Sequence, residues 1–399
     1  MVEVWLPYGN SEIPARVPEE RLQDILRPQL RTVTLDLVAE TKRLLQSSGL
    51  VDAASRAERV CIATGVSSDQ RVLVDLVKLL VEHLTASGLA EHSITILTTS
   101  PMQGRPISVE RTLSHDPASS PTSPFTDLKL DFPVALNSAL LGSGLKILVG
   151  ELRPHHFLGY AGVSDIVFPG SASADSIHSH LTNRKGGSVA DLSAERLKVA
   201  ESIPNLFALG YVLDGDHSPS QVAFGGIHEC VDALKEKVQT TYCRTIRKPA
   251  DIVVLSAGGA PLDESLALAA DSIPAGVAAS KRDGALIVAA ECALGHGDGQ
   301  FYEWCAERKE PRHLEARLRH NFTYDGFKAA FLKRTVESRR IYLVSTIADY
   351  YVERIFGMRP AGTVNAALQT AQRAIGTDSS ITVIPDGMRV IPVHQQETV

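Results

Sequence analysis

A chain of 399 residues with a formal charge of −6 exceeds the usual size of one domain, so two domains of roughly 150 to 250 residues each are expected. Hydrophobic residues make up 44% and charged residues 22%, no apolar run is long enough to cross a bilayer, and no basic stripe with interleaved aromatics occurs. A membrane partner and a nucleic-acid partner are therefore not expected.

The N-terminal stretch "MVEVWLPYGNSEIPARVPEE" lacks a basic start and an apolar signal core, so the chain reads as mature sequence with the cytoplasm as its default location. Five cysteines, Cys61, Cys230, Cys243, Cys292 and Cys305, are widely spaced and form no C-x-x-C pair; this fits a reducing compartment and offers no zinc or iron–sulfur pattern. "RVCIAT" at 59–64 reads as a strand. It is followed at 69–84 by a helix in which Leu73, Leu76, Val77, Leu80, Val81 and Leu84 recur at helical spacing. Further strands are expected at 93–99, 146–152, 165–168 and 205–214. The polar, proline-rich stretch 114–128 reads as a surface loop. After a helical pattern at 226–243, the basic turn "RTIRKPAD" with Pro249 reads as a solvated linker. The domain boundary is placed there, giving 1–248 and 249–399. The second half contributes strands at 251–257, 285–291, 340–346 and 381–387, with helices between. Strands alternating with helices predict an α/β fold in both domains.

Candidate chemistry centres on "ILVGELRPHHFLGYAGVSDIVFPGSASADSIHSHL" (147–181). A buried strand ends there in a loop carrying His155 and His156, and the carboxyl edge of a sheet is where α/β proteins bind ligands. His155 in that position suits a general base near neutral pH; the alternative is a structural histidine bonded to a loop carbonyl, the reading given to His156. His178 and His180 stand at i, i+2, which places their rings on different faces of a helix, so one exposed and one packed histidine is the alternative to a metal site. "SAGGAP" (256–261) follows a strand, and its glycines could offer backbone N–H groups to an anion. "AECALGHGDGQF" (290–301) is a flexible glycine loop around His296. No P-loop, G-x-S-x-G elbow or H-E-x-x-H helix is present.

The run "GELRPHHFLGYAGVSDIVFPGSAS" resembles the signature of the nickel-pincer lactate racemase family. "LPYG" (6–9), "SHDP" (114–117), "VLDGDHSPSQVAFGG" (212–226), "AGGAPLD" (257–263), "YDGFKA" (324–329) and "YLVS" (342–345) follow in the family's order, so the resemblance covers nearly the whole chain. It implies two α/β domains around a cleft. It also implies a nickel-pincer nucleotide that takes a hydride from C2 of a 2-hydroxy acid, and two histidines serving the two faces of the substrate.

Carried over residue by residue, the resemblance puts His155 on one catalytic histidine and makes His180 the nearest candidate for the nickel ligand. Asp69 and Arg71 fall near an anion-handling turn, and Gly258 and Gly259 lie in the cofactor region. The second histidine's place is taken by Met102 or Pro101, and the lysine that would bond the cofactor aligns with Asp165. A tyrosine, glutamine and lysine cluster aligns with Ala267, Leu268 and Asp271. Two expectations follow. The first is a racemase or epimerase of a small 2-hydroxy acid that holds any pincer cofactor non-covalently; the second is a member of the same fold that has lost the chemistry and binds a small ligand or a protein partner.

Overall fold

The computed structural model describes residues 1–30, 35–99, 111–126, 128, 130–182, 187–297, 299–307 and 310–395. Two six-stranded sheets dominate. In the first the order is Pro219–Gly225, Leu206–Leu213, Leu145–Glu151, Val60–Thr64, Ile94–Thr98, Thr112–Ser114, parallel throughout except for the antiparallel pair at the Pro219–Gly225 edge. The second is parallel throughout, in the order Arg359–Pro360, Arg340–Val344, Ser280–Ala289, Ala250–Ser256, Ile381–Ile384, Leu22–Ile25.

Parallel strands covered on both faces must be continuously apolar. Every residue of Val60–Thr64, Ile94–Thr98, Leu145–Glu151 and Ile381–Ile384 is buried. The helix Gln70–Ala86 covers the first sheet with Val72, Leu73, Leu76, Val77, Leu80 and Leu84. Asp69 caps its start, and Gly88, at φ +96°, lets the chain turn away after its end.

The N-terminal residues pack across the expected boundary at residue 248. The hairpin of Val2–Tyr8 and Ser11–Val17 alternates buried and exposed residues, and its Val4, Leu6, Ala15 and Val17 join the core of the second sheet. Leu22–Ile25 then completes that sheet's edge. The 243–249 region is not a free linker either: Cys243–Ile246 pairs with Ile391–His394.

The stretch 165–168 is a correction to the expected strands. Residues Val163–Ile166 form a 3-10 turn in which Asp165 caps the amide of Gly162. The amides of Asp165, Val167 and Gly170 bond to carbonyls within the same loop, which a strand ladder would have taken up instead. Val167 and Phe168 are buried as core side chains, which explains their apolar character. In the 114–128 loop, Thr122–Pro124 pairs with Ala135–Asn137.

Each sheet has a point where the direction of winding reverses. In the first it lies between Val60–Thr64 and Leu145–Glu151; in the second, between Ala250–Ser256 and Ile381–Ile384. Crevices open at the carboxyl ends of strands at such points.

Candidate functional site

The loops leaving these crevices meet. Arg153, Pro154, His155 and His156 from the first half, and Leu262, Leu268, Asp271, Met388 and Arg389 from the second, line a cavity of about 200 Å³. His156 ties the halves together, its Nε2 lying 2.6 Å from the carbonyl oxygen of Gly387. That is the structural role expected for it.

His155 sits on the short strand Arg153–His155, which folds back on Gly159–Ala161. Gly162, at φ +134°, makes this return possible, because a side chain there would strike the Glu151 carbonyl. The amides of Phe157 and Leu158 point at His155 Nδ1 from 3.2 and 3.3 Å. Nδ1 is thus an acceptor, and the proton of the neutral ring lies on Nε2. Burial drives the His155 pKa down to about 3, reinforced by the cations of Arg196 and Arg153. The ring is neutral at pH 7 and presents an N–H. A base at Nε2 would need that proton on Nδ1, where two amide hydrogens already point.

Nε2 lies 3.9 Å from Asp271 Oδ2, close enough for charge interaction but too long for a hydrogen bond. Asp271 is carried just ahead of the helix Ile273–Ala279. Burial pushes its pKa up to about 6; Lys328 pulls it down and Asp325 pushes it further up. Lys328 is itself buried on the helix Tyr324–Ser338, its Nζ 2.7 Å from the Ala267 carbonyl, 3.5 Å from Asp325 and 3.8 Å from Asp271. Tyr324, one helical turn before Lys328, faces the same carboxylate. The cavity floor therefore holds a neutral imidazole N–H donor beside a carboxyl group poised to titrate near neutrality.

The other sequence candidates lie elsewhere. Asp69 spends its carboxylate on the Arg71 amide at 2.8 Å and on the Arg71 guanidinium at 2.8 and 3.2 Å. Burial opposes the shift, but these bonds hold its pKa below the usual carboxylate range. Neither residue lines the cavity. Gly258 and Gly259, at φ +115° and +75°, carry the turn across the N-terminal hairpin, where a Cβ on Gly259 would meet the Gly9 carbonyl and Pro7 at 3.0 and 3.1 Å. His180 is fully buried, its ring 4.9 Å from both Phe132 and Phe168 and its Nε2 3.3 Å from Glu195. His178, two residues earlier on the helix Ala174–Leu181, is exposed. His296 stacks on Tyr302 at 4.5 Å. Among the described residues, no three His, Cys, Asp or Glu side chains converge as a metal would require. Met102 and Pro101 lie outside the described residues.

Two α/β halves whose loops meet around a small, mostly apolar cavity with a few polar groups on its wall have the make-up of a small-molecule site. Comparison with known proteins is specific. Residues 8–188 match the lactate racemase N-terminal domain, and residues 245–392 match the lactate racemase C-terminal domain. The chain is 28% identical over 428 aligned positions to a lactate racemase of Thermoanaerobacterium thermosaccharolyticum, spanning 98% of this chain and 99% of that one. It is 26% identical over 276 positions to a lactate racemase of Lactiplantibacillus plantarum, spanning 64% of this chain and 63% of the other. The lactate racemase apoprotein structure from Thermoanaerobacterium thermosaccharolyticum matches with a TM-score of 0.80 at 26% identity, over 98% of this chain and 100% of that one. A Thermotoga maritima protein shares the fold, with a TM-score of 0.62 at 14% identity over 92% of this chain and 100% of that one. The chain belongs to the lactate racemase family. It is a lactate-racemase-like protein with the mixed α/β, two-domain fold of that family. No helix among the described residues is long and apolar enough to cross a membrane.

The nickel-pincer nucleotide implied by the family resemblance can be tested against the side chains present. At the position aligned with the attaching lysine, Asp165 accepts the Gly162 amide at 2.9 Å and faces Arg196 at 3.8 Å. Its pKa is raised by burial against the opposing pull of Arg196. A carboxyl group cannot form the thioamide that a lysine amine forms. The residues do not fit a covalently attached pincer group.

Asp271, Lys328, Tyr324 and Arg196 were not singled out as functional by sequence reasoning. The available signal was the Tyr324/Lys328 pair at i, i+4 in "YDGFKA", an ionisable side chain on a helix face otherwise built from Gly326, Ala329, Ala330 and Leu332.

Proposed function

We propose that this chain is a lactate-racemase-family protein that binds a small 2-hydroxy carboxylate between its two halves without a covalently attached nickel-pincer nucleotide. The observation that carries this reading is the His155 Nε2–H and the Asp271 carboxylate standing 3.9 Å apart on the wall of the cavity. A 2-hydroxyl group is both donor and acceptor. An oxygen about 2.8 Å from each partner bridges that gap, accepting from His155 and donating to Asp271.

The carboxylate of the ligand pairs with Arg153, which lines the cavity and forms no salt bridge among the described residues. Leu262, Leu268 and Met388 leave an apolar wall for the side chain of the ligand. Within this arrangement Asp271, with its pKa raised to about 6, is the group able to take a proton from the hydroxyl. Racemisation of the kind the resemblance implies needs a hydride acceptor as well, and Asp165 supplies no amine to hold one.

Calorimetric titration tests the reading. Lactate and longer 2-hydroxy acids are expected to bind, and propionate, which lacks the hydroxyl, to bind about tenfold more weakly. Arg153→Ala is expected to lose a similar factor. Equal binding of propionate and lactate, or undiminished binding by Arg153→Ala, would overturn the assignment.

A further inference from the structure

A second concavity, of about 720 Å³, shares only His156 with the cleft cavity. It is an open concavity bordered by the helices Pro311–His320 and Tyr324–Ser338 and by the start of Val189–Glu201. Its walls are aromatic: Phe157, Phe322, Phe327 and Phe331, closed off by Leu318 and Ala330. Phe157 stands edge-on to Phe327 at 5.1 Å and to Phe331 at 5.3 Å, so the wall is already packed in a favourable geometry.

The size lies in the range of organic-ligand sites. The charge around it is one-sided. Arg334 is answered by Glu315 at 3.3 Å, whereas Arg319 makes no ion pair among the described residues and is exposed. Two guanidinium groups face one carboxylate beside an apolar chamber. Water gains nothing from the aromatic wall, while a ligand with an apolar body and an anionic head satisfies both parts.

We infer that this aromatic chamber is a second binding site, distinct from the cleft, for an organic anion with an extended apolar or aromatic body, its acidic head held by Arg319. Its volume is more than the cleft cavity offers, and its four phenylalanines suit an aryl group or a medium-length acyl chain rather than a compact hydroxy acid.

The test is a fluorescence titration of the full chain with anilinonaphthalene sulfonate, followed by displacement with decanoate. Saturable one-to-one binding and displacement by decanoate are expected. Arg319→Glu, an exposed substitution that leaves the core untouched, is expected to weaken binding by about tenfold or more, the loss of one charge-assisted contact. Phe331→Trp supplies a second readout, with tryptophan emission quenched as the probe binds. Absence of saturable binding, binding unaffected by Arg319→Glu, or an unquenched Trp reporter would overturn the proposal. So would sedimentation showing that a second copy of the chain covers the chamber and excludes the probe.

Discussion

His155, half-buried, and His180, fully buried, come from one segment of the chain, yet they stand in opposite surroundings. His155 lies between the two halves, its Nδ1 fixed by two amides and its Nε2 facing Asp271, with Lys328, Tyr324 and Arg196 gathered behind. His180 lies within the first half's core, flanked by Phe132 and Phe168, with its Nε2 3.3 Å from Glu195. Both rings are largely withdrawn from solvent. What separates them is whether the polar end of the ring opens on a cavity that another molecule can enter, and only His155 lines one.

The contrast is sharpest under truncation. His180→Ala removes a ring packed between two phenylalanines and is expected to lower unfolding free energy by about 2 to 4 kcal/mol, read by denaturant titration, while leaving hydroxy-acid affinity unchanged. A stable variant with altered affinity would break the comparison. His155→Ala is expected to do the reverse to affinity, weakening hydroxy-acid binding by about tenfold to a hundredfold as its N–H donor is lost. Any turnover found for the chain should fall with it; full retention would remove His155 from the site. Nickel content sharpens the same point: His180→Ala and His178→Ala are expected to retain equal amounts of any metal bound, and a loss confined to His180→Ala would instead assign His180 as a ligand.

A smaller effect is expected from pH. Asp271 has a folded-state pKa raised to about 6, so the folded chain holds this proton more tightly than the unfolded one. Its stabilising contribution is complete below the unfolded carboxyl value near 4 and is lost as pH rises through 6. His155, lowered to about 3, acts in the opposite sense: its contribution is complete above the unfolded value near 6.5 and fades as pH falls toward 3. An anionic ligand meets one less negative charge once Asp271 is protonated, so hydroxy-acid affinity should rise several-fold between pH 7 and pH 5.5. Asp271→Asn should bind well at both values and show no such rise. The groups facing Asp271 are His155, Lys328, Asp325, Tyr324 and Arg196, and a rise that persists in Asp271→Asn would assign the titration to one of them.

Much of this was legible in the sequence where the physics is local. Apolar runs such as Val60–Thr64 and Ala250–Ser256 formed strands, and the heptad-like spacing from Leu73 to Leu84 formed a helix, because burial on both faces or on one stripe leaves a direct pattern. The place of His155 after a buried strand was legible for the same reason. "DIVF" was not, since a short apolar run can be packed as a turn as well as a strand, and the cap from Asp165 to Gly162 decides between them. The attachment of the N-terminal hairpin to the second sheet was hidden because alternation fixes a strand's faces but not its distant partner. Asp271 was hidden similarly: its meaning comes from its approach to His155 across the halves and from Lys328 beside it, and the separation of these residues along the chain does not encode that meeting.

The cleft is proposed to work without a covalently attached pincer nucleotide, because Asp165 faces Arg196 at the position aligned with the attaching lysine. Intact mass spectrometry of the denatured chain, produced together with enzymes that make the cofactor, tests it most directly. The expected result is the unmodified mass of the polypeptide. A cofactor-sized increment mapped to any residue of the 151–186 segment would contradict the account.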